Sequence, residues 1–403
     1  MSFQANYFIL WSFAALVCHL VFGLRFENFI LPLIVVVSLA LLLKRYHVKH
    51  IEYLLFFSIS VTSLFGLSKT LNGFHAESTN IFLFGLSFYS ASMAYLISKN
   101  NFHPTNVLTI SNPLLLVTGP IALFLESISH KSLILRFKYY FPFIIIGIFM
   151  FQVVANPLTE FFFLIEKTDA VSSIFFAGIF ELFVYMNFCG LSLLIYGIFG
   201  LIGYKIPLNF KQPFSSNNII EFWRGWHTSL SEVLKVLFYK PLRASFSPII
   251  ALIGVFVSSA LWHGVSFNFL IWGIFHALFF WVSISLLKKN YVFLSLLLTP
   301  FIIVIGRLIF VDTDTNRLLE KLSFSYTGFD IDTIFLNAPT HSQLALVFGF
   351  LIISIEFAFR NSRIMQKRNY KFLRTPFSLM ILSIIGIVFV SNVGIDYAVY
   401  GQR

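Results

Sequence analysis

Charged residues are scarce in this sequence. They make up 11% of the 403 residues, whereas soluble domains carry about 25%. Hydrophobic residues make up 58% of the chain, and phenylalanine alone accounts for 53 positions. The shortage of charge excludes a soluble globular domain. It predicts a chain that lies mostly within lipid, where apolar runs of about 20 residues cross the bilayer as helices.

Cysteine is also scarce, and the motifs of several enzyme classes are missing. Cys18 and Cys189 both lie in apolar segments, which predicts small buried side chains and no disulfide. The sequence has no Cys/His spacing for a metal, no phosphate-binding glycine loop and no G-x-S-x-G elbow. These absences argue against metal chemistry, nucleotide hydrolysis and a serine triad. We therefore predict no metal site and no tightly bound cofactor.

The net charge of +11 does not indicate a nucleic-acid partner. The basic residues cluster at the ends of apolar runs, at 44–49, 131–138, 205–246, 288–289 and 360–374, whereas the 312–341 loop is acidic. The positive-inside rule then predicts a cytoplasmic N-terminus and an external C-terminus. The first run, Tyr7 to Leu24, has no basic n-region and no cleavage site, which predicts a retained helix.

Apolar runs recur along the whole length and predict about eleven membrane spans. They lie near 7–24, 28–43, 51–67, 81–98, 139–157, 172–203, 247–263, 267–286, 291–311, 342–359 and 375–392. The 172–203 run fits either one tilted helix or two shorter ones, and 113–125 is too short to span and predicts a re-entrant or interfacial segment. The predicted fold class is all-α: one polytopic membrane domain over 1–403, accompanied by interfacial amphipathic helices.

The longest polar-containing segment, 205–246, predicts such an amphipathic helix. Its apolar residues recur at helical spacing from Ile219 to Leu237, and polar residues fill the opposite face. Asn218 is the predicted N-cap, with a return bond from Glu221. We expect this helix to lie in the cytoplasmic interface or over a cavity, with His227 within about a turn of Trp223 and Trp226.

His263 is the strongest candidate for chemistry. It ends an apolar run in Leu261-Trp262-His263-Gly264, with Trp262 and Trp272 as packing walls. An imidazole at membrane depth is costly and indicates function, and its ordinary pKa suits a general base for acyl transfer. The alternative is a histidine that is hydrogen-bonded at a helix terminus.

Two other histidines allow two interpretations each. His276 either orients the base or bridges two helices. His227 is either functional or an interfacial residue packed beside tryptophans. Glu356 precedes the basic 360–374 cluster, which predicts an ion pair with it.

Two motifs carry a resemblance to a known family. The run Asn209-Phe210-Lys211-Gln212-Pro213-Phe214, with Ile219 to Ser231, resembles the bacterial membrane-bound O-acyltransferases, especially the alginate O-acetylase and D-alanyl-lipoteichoic acid transferase members. The second hallmark is Leu-Trp-His-Gly followed by Trp-Gly-x-x-His, which matches 261–264 and 272–276. Weaker matches at 85–89, 119–121, 187–190, 201–204 and 306–310 extend the resemblance over about residues 80–312. The chain departs from the family at Gly225, where a polar or basic residue is common, and at Leu191-Ser192-Leu193.

The resemblance implies a ring of helices around a central tunnel, with His263 catalytic inside it and His227 nearer the donor side. Trp223, Trp226, Trp262 and His276 are the expected substrate-binding residues. The implied reaction moves an acyl group, with acetyl favoured, from a thioester (acetyl-CoA or acyl carrier protein) to a hydroxyl of a cell-envelope or exported glycan. The implied location is the bacterial cytoplasmic membrane, where an extracytoplasmic acyltransferase or an acyl carrier protein would be the protein partner.

Two other classes stay open at this point. A transporter or flippase could use intramembrane histidines to bind substrate or protons, although no internal repeat of the kind common in transporters is present. A catalytically silent scaffold of an envelope complex would tolerate the loss of His263. Acyl transfer by purified protein separates the three.

Overall fold

The computed structural model describes residues 11–16, 26–58, 76–121, 126–165, 169–311, 315–321, 330–358, 370 and 373–390. These residues are almost entirely helical, which confirms the all-α prediction. The helices are α1 (Phe26–Arg45), α2 (Ile51–Phe56), α3 (Ala76–Ser98), α4 (Pro104–Ile110), α5 (Pro113–Thr118), α6 (Leu133–Leu164), α7 (Ala170–Ile202), α8 (Ile219–Gly225), α9 (Thr228–Leu234), α10 (Lys240–Ser245), α11 (Pro248–His263), α12 (Phe267–Lys288), α13 (Val292–Val311), α14 (Thr315–Lys321), α15 (Ile331–Asn337), α16 (Thr340–Ala358) and α17 (Pro376–Val390).

Irregular elements interrupt or join these helices. A π-helical stretch, Phe149–Ala155, lies inside α6, and a second, Lys235–Tyr239, joins α9 to α10. Pro213–Ser215 forms one 3₁₀ turn. Two short strands, β1 (Glu126–Ser127) and β2 (Tyr204–Lys205), pair antiparallel with Glu126 opposite Lys205.

Within the described part of the chain, five helices are long and apolar enough to cross a membrane: α6, α7, α12, α13 and α16. The apolar helices α11 and α17 are shorter. Large side chains such as Phe301 on α13 and Phe350 on α16 are exposed, as lipid-facing residues are. Together these helices indicate a multi-pass membrane protein. The total of about eleven spans and the central tunnel stay predictions. The 7–24 and 51–67 runs are described only over 11–16 and 51–58.

The 172–203 run is one continuous helix, α7, of 33 residues. The helix begins at a capping box, in which the Asp169 carboxylate accepts a hydrogen bond from the Ser172 backbone N–H at 2.8 Å and the Ser172 hydroxyl accepts one from the Asp169 N–H at 3.2 Å. It ends at Gly203, whose φ of 116° suits glycine. Between these two ends no residue breaks the helix, so the two-helix alternative is wrong.

Helix α7 lies at the centre of the core and packs closely against α6. A Cβ on Gly147 of α6 would lie 2.5 Å from the Gly190 carbonyl oxygen of α7. Only glycine allows the two backbones to approach so closely. This contact fixes the position of α7, which carries Glu181, Tyr185 and Phe188 towards the interior.

The predicted single amphipathic helix over 219–237 is wrong, because the chain breaks between α8 and α9. Lys211 N–H donates to the Gly225 carbonyl at 2.9 Å, and Thr228 N–H donates to the Asn209 carbonyl at 2.9 Å. These bonds tie residues 209–211 to 225–228 and take backbone groups that a continuous helix would pair internally. Trp226 is extended and His227 is left-handed, with φ 44°.

The start of α8 agrees with the sequence except in one bond. The Asn218 side chain caps the helix by accepting from the Glu221 N–H at 2.9 Å, as predicted. The return bond goes to the N–H of Asn217, at 2.9 Å, and not to that of Asn218. Helix α5 is capped in the same way by Asn112, and at six residues it is too short to span.

Candidate active site

His263 is the last residue of α11, as the sequence predicted. Gly264 follows with φ 151°, a conformation that side chains other than glycine rarely adopt. A Cβ there would also lie 3.2 Å from the Phe269 ring. The Ser266 hydroxyl caps α12 by accepting from the Asn268 N–H at 3.3 Å, so the turn between the two helices is very short. The Leu-Trp-His-Gly motif thus ends one helix and directs the chain back into the next.

Aromatic rings surround the imidazole of His263. Its ring centroid lies 4.9 Å from those of Trp262 and Phe310, and 6.3 Å from that of Trp272. The two tryptophan walls predicted from the sequence are confirmed, and Phe310 from α13 adds a third. His263 is half-buried as a residue. An imidazole held among aromatic rings can exchange a proton with a hydroxyl that is bound beside it.

His227 lies deeper, and its backbone explains how it is held. It is the N-cap of α9, where its Nδ1 accepts a weak hydrogen bond from the Leu230 N–H at 3.4 Å. Histidine adopts the left-handed region more readily than most residues, which suits its φ of 44°. Because Nδ1 is the acceptor, the proton of the neutral ring is assigned to Nε2. That Nε2 is buried and has no hydrogen-bond partner in the described part of the chain.

The surroundings of His227 differ from those expected. Its ring centroid lies 4.9 Å from that of Phe188 and 6.3 Å from those of Phe88 and Trp262. The prediction that it packs between Trp223 and Trp226 in a wet interface is wrong, because the break after Gly225 turns its ring inward. Burial lowers the pKa of His227, with a smaller effect in the same direction from His263. The ring is therefore neutral at physiological pH.

Trp262 joins the two motif histidines. Its ring lies 4.9 Å from that of His263 and 6.3 Å from that of His227. Its Nε1 donates to the Ser87 carbonyl at 3.4 Å, and its ring meets that of Phe88 edge-on at 5.8 Å. Motifs that are far apart in the sequence therefore meet at one tryptophan, whose ring contacts both histidines.

A second aromatic cluster forms around His276. Its ring lies 4.8 Å from that of Trp272, 4.9 Å from that of Trp223 and 6.0 Å from that of Phe256. A Cβ on Gly306 would lie 2.3 Å from Nε2 of His276, so the glycine makes room for this ring. His276 thus bridges α8, α11, α12 and α13. Within the described ranges it makes no hydrogen bond or ring contact with His263, which favours the bridging interpretation.

Polar atoms in the second cluster stay unsatisfied. Nδ1 of His276 and Nε1 of Trp223 are both buried and have no hydrogen-bond partner among the residues that the structure describes. Trp226 points elsewhere: its ring packs at 5.1 Å from Phe210 and 5.3 Å from Phe222. The structure therefore brings Trp223, Trp262 and His276 to the two histidine clusters, but not Trp226.

The sequence did not assign a role to a buried ion pair next to His263. Arg307 Nε of α13 donates to the Glu181 carboxylate of α7, and both side chains are nearly buried. The Arg307 guanidinium lies 5.3 Å from the centroid of Phe310, the ring that packs on His263. The signals were present, since Glu181 is one of few acids within the spans and Gly306 to Phe310 resembles the family.

Glu356 has a partner other than the one expected. It is buried, and its carboxylate accepts a hydrogen bond from the Tyr185 hydroxyl of α7 at 2.7 Å. The proposed ion-pair cluster at 360–374 lies mostly outside the described residues. Nearby, the Cys189 sulfur lies 3.2 Å from the Tyr370 hydroxyl. Cys189 is buried and free, as predicted, whereas Cys18 lies outside the described residues.

Gly225, a departure from the family pattern, fits its surroundings. A Cβ there would lie 3.1 Å from the Lys211 carbonyl oxygen and 3.2 Å from Cα of Pro213. The backbone segments 209–211 and 225–228 therefore lie close together, and a larger side chain at position 225 would have to push them apart.

Comparison with known proteins shows which family and which proteins this chain is similar to. Residues 126–303 match the model of the membrane-bound O-acyltransferase family. The chain is 36% identical over 106 residues to the probable alginate O-acetylase of Pseudomonas putida, covering 25% of this chain and 21% of that protein. It is 37% identical over 99 residues to the peptidoglycan O-acetyltransferase of Helicobacter pylori, covering 24% and 19%.

A third relative carries a different acyl group in its name. The teichoic acid D-alanyltransferase of Bacillus subtilis is 28% identical over 109 residues, covering 24% of this chain and 28% of that protein. The matched part of the chain thus spans about a fifth to a quarter of these relatives' lengths.

Proposed function

We propose that this protein is an O-acyltransferase, because residues 126–303 match the model of the membrane-bound O-acyltransferase family. It moves an acyl group from a thioester to a hydroxyl of a cell-envelope or exported glycan. The observation that carries the proposal is the meeting of His263 and His227 on Trp262, at the point where the two family motifs come together. The relatives, which are named for alginate, peptidoglycan and teichoic acid, support a glycan acceptor.

His263 acts as the general base. Its imidazole can accept the proton of an acceptor hydroxyl while the hydroxyl oxygen attacks the thioester carbonyl carbon. The carbon–sulfur bond then breaks, and the thiolate takes the proton back from the imidazolium. The new ester and the free thiol are the products, and the histidine returns to its starting form. These steps need neither a metal ion nor nucleotide hydrolysis.

His227 stabilises the charge that develops on the carbonyl oxygen. Its Nε2–H is a buried donor with no partner in the described ranges, and its Nδ1 is already engaged by the cap of α9. A fixed donor in an apolar surrounding is effective at an oxyanion, because it needs no reorganisation as the charge forms. The aromatic rings of Phe88 and Phe188 hold it in place.

The second cluster suits binding of the polar part of a substrate. Trp223 offers an unsatisfied Nε1–H and His276 an unsatisfied Nδ1, both buried beside Trp272. Trp262 supplies the wall between the histidines. We retain Trp223, Trp262 and His276 as substrate-binding residues and regard Trp226 as a packing residue.

The donor and the location complete the proposal. Acetyl is the favoured acyl group, carried as acetyl-CoA or on an acyl carrier protein, and a tunnel would connect the cytoplasmic donor with an external acceptor. The protein would lie in the cytoplasmic membrane. An extracytoplasmic acyltransferase would be a partner if the acyl group is passed on before it reaches the glycan.

The test is transfer by the purified protein. Wild-type protein in bilayer vesicles receives labelled acetyl-thioester and candidate glycans, and labelled glycan is measured. Transfer that requires His263 supports the enzyme. Uptake or release of glycan without ester formation would instead indicate a transporter.

A further inference from the structure

The Arg307–Glu181 ion pair is the strongest feature that the proposed reaction leaves unused. It joins two of the helices that are long enough to cross the membrane, α7 and α13. Charged groups at membrane depth are costly and usually mark function. We propose that Arg307, held by Glu181, is a positioning residue for acyl transfer: it fixes the ring of Phe310, which in turn fixes the imidazole of His263. This inference rests on the proposed function.

The contacts form a chain from the ion pair to the base. Glu181 accepts a hydrogen bond from Nε of Arg307, which fixes the plane of the guanidinium. The Arg307 guanidinium carbon lies 5.3 Å from the Phe310 centroid and 6.0 Å from that of Phe180, within the range of cation–π attraction. Phe310 meets His263 at 4.9 Å with an interplanar angle of 88°. Each group therefore restricts the orientation of the next.

His263 needs this support because it ends a helix. The helix stops at His263, and the imidazole is held by ring packing. Trp262 and Phe310 lie nearest, each with its ring centroid 4.9 Å from that of His263, and Trp272 and Phe269 lie at 6.3 and 6.4 Å. A general base must lie within hydrogen-bond reach of the proton that it accepts, and a displacement of about 1 Å can cost about 100-fold in rate.

A buried ion pair could also serve only to hold α7 against α13. Removing one partner would then destabilise the protein, because it leaves an uncompensated buried charge. Single deletions of Arg307 or Glu181 therefore cannot separate the two roles. Reversal of the pair can: Arg307→Glu with Glu181→Arg keeps an ion pair between the helices, but the guanidinium then belongs to α7 and no longer extends from α13 over Phe310.

The experiment measures abundance, thermal stability and acetyl transfer from acetyl-thioester for each variant in vesicles. The reversed double variant should regain the abundance lost by the single variants, with kcat still about 100-fold below wild type. Arg307→Lys keeps the charge but loses the planar group over Phe310, and its kcat should fall about tenfold at unchanged abundance. Phe310→Leu should lower kcat in the same way. Phe310→Tyr keeps an aromatic ring at this position, so its kcat should stay at the wild-type level. The KM for the thioester should stay unchanged in all of them.

A matched control lies elsewhere in the structure. Arg374 stacks over Phe143 at 4.5 Å, away from His263, so Arg374→Lys should leave kcat unchanged. The inference is overturned if the reversed double variant regains both abundance and activity. If that variant fails to accumulate, Phe310→Leu and Arg307→Lys decide, and full kcat in both would overturn the inference. No transfer by wild type would contradict the proposed function itself. Transfer that His263→Ala abolishes leaves the function standing, whatever the Arg307 variants show.

Discussion

Replacement of His227 by phenylalanine tests its role as an oxyanion donor. The change keeps an aromatic ring among Phe88, Phe188 and Trp262 but removes both ring nitrogens. Loss of the N-cap bond to Leu230 costs about 1 kcal/mol of stability. Removal of the unsatisfied buried Nε2–H offsets part of that cost. Phenylalanine also adopts the left-handed backbone at position 227 less readily than histidine, which adds to the loss of stability. We therefore expect a measurable loss of stability together with a fall in kcat of about 100- to 1,000-fold, as for a lost oxyanion donor.

The test compares the effect of each variant on kcat with its effect on the KM for the donor. An interaction made only in the transition state lowers kcat and leaves the KM for the donor unchanged. His227→Asn is the matched variant, because asparagine tolerates the left-handed backbone and can cap α9 while it removes the ring. Thermal melts and donor titrations are measured on both variants. The reasoning is refuted if His227→Phe keeps wild-type kcat, or if activity in both variants falls only as far as stability does.

Three further predictions address other parts of the structure. Gly306→Ala places a Cβ 2.3 Å from His276 Nε2, so we expect overpacking of about 1–3 kcal/mol in thermal unfolding and reduced transfer. Gly147→Val meets the Gly190 carbonyl, and membrane abundance measured by immunoblot should fall sharply. Single cysteines at Ser325 and Ser362, with Cys18 and Cys189 replaced, test the topology with an impermeant thiol reagent on intact cells: labelling at 325 and not at 362 is expected, and the reverse would contradict the charge rule.

Local signals in the sequence predicted much of the fold. The end of α11 at His263 and the cap at Asn218 follow from apolar length and capping residues. These features depend on neighbours within a few positions along the chain. The number of spans could not be settled in the same way, because helices shorter than about 18 residues, such as α11, are ambiguous by length alone.

The break at His227 shows why the rest could not be predicted. Residues 219–237 have helical periodicity, but bonds from Asn209 and Lys211 compete for the backbone of 225–228. Those partners lie some 15 to 20 residues away and have no local signature. The same holds for Phe310 and Arg307, whose closeness to His263 depends on how α11 and α13 pack. The sequence therefore pointed to Trp262 and Trp272 beside His263, but not to Phe310 and Arg307, which come from a distant helix.

Transfer of labelled acetyl from a thioester to glycan by wild type and His263→Ala in vesicles tests the central claim most directly. The variant should reach wild-type abundance, because the half-buried His263 ends its helix and makes no hydrogen bond that the fold needs within the described residues. The account predicts ester formation by wild type and a loss of about 100- to 10,000-fold in the variant. Equal transfer by both proteins would contradict it.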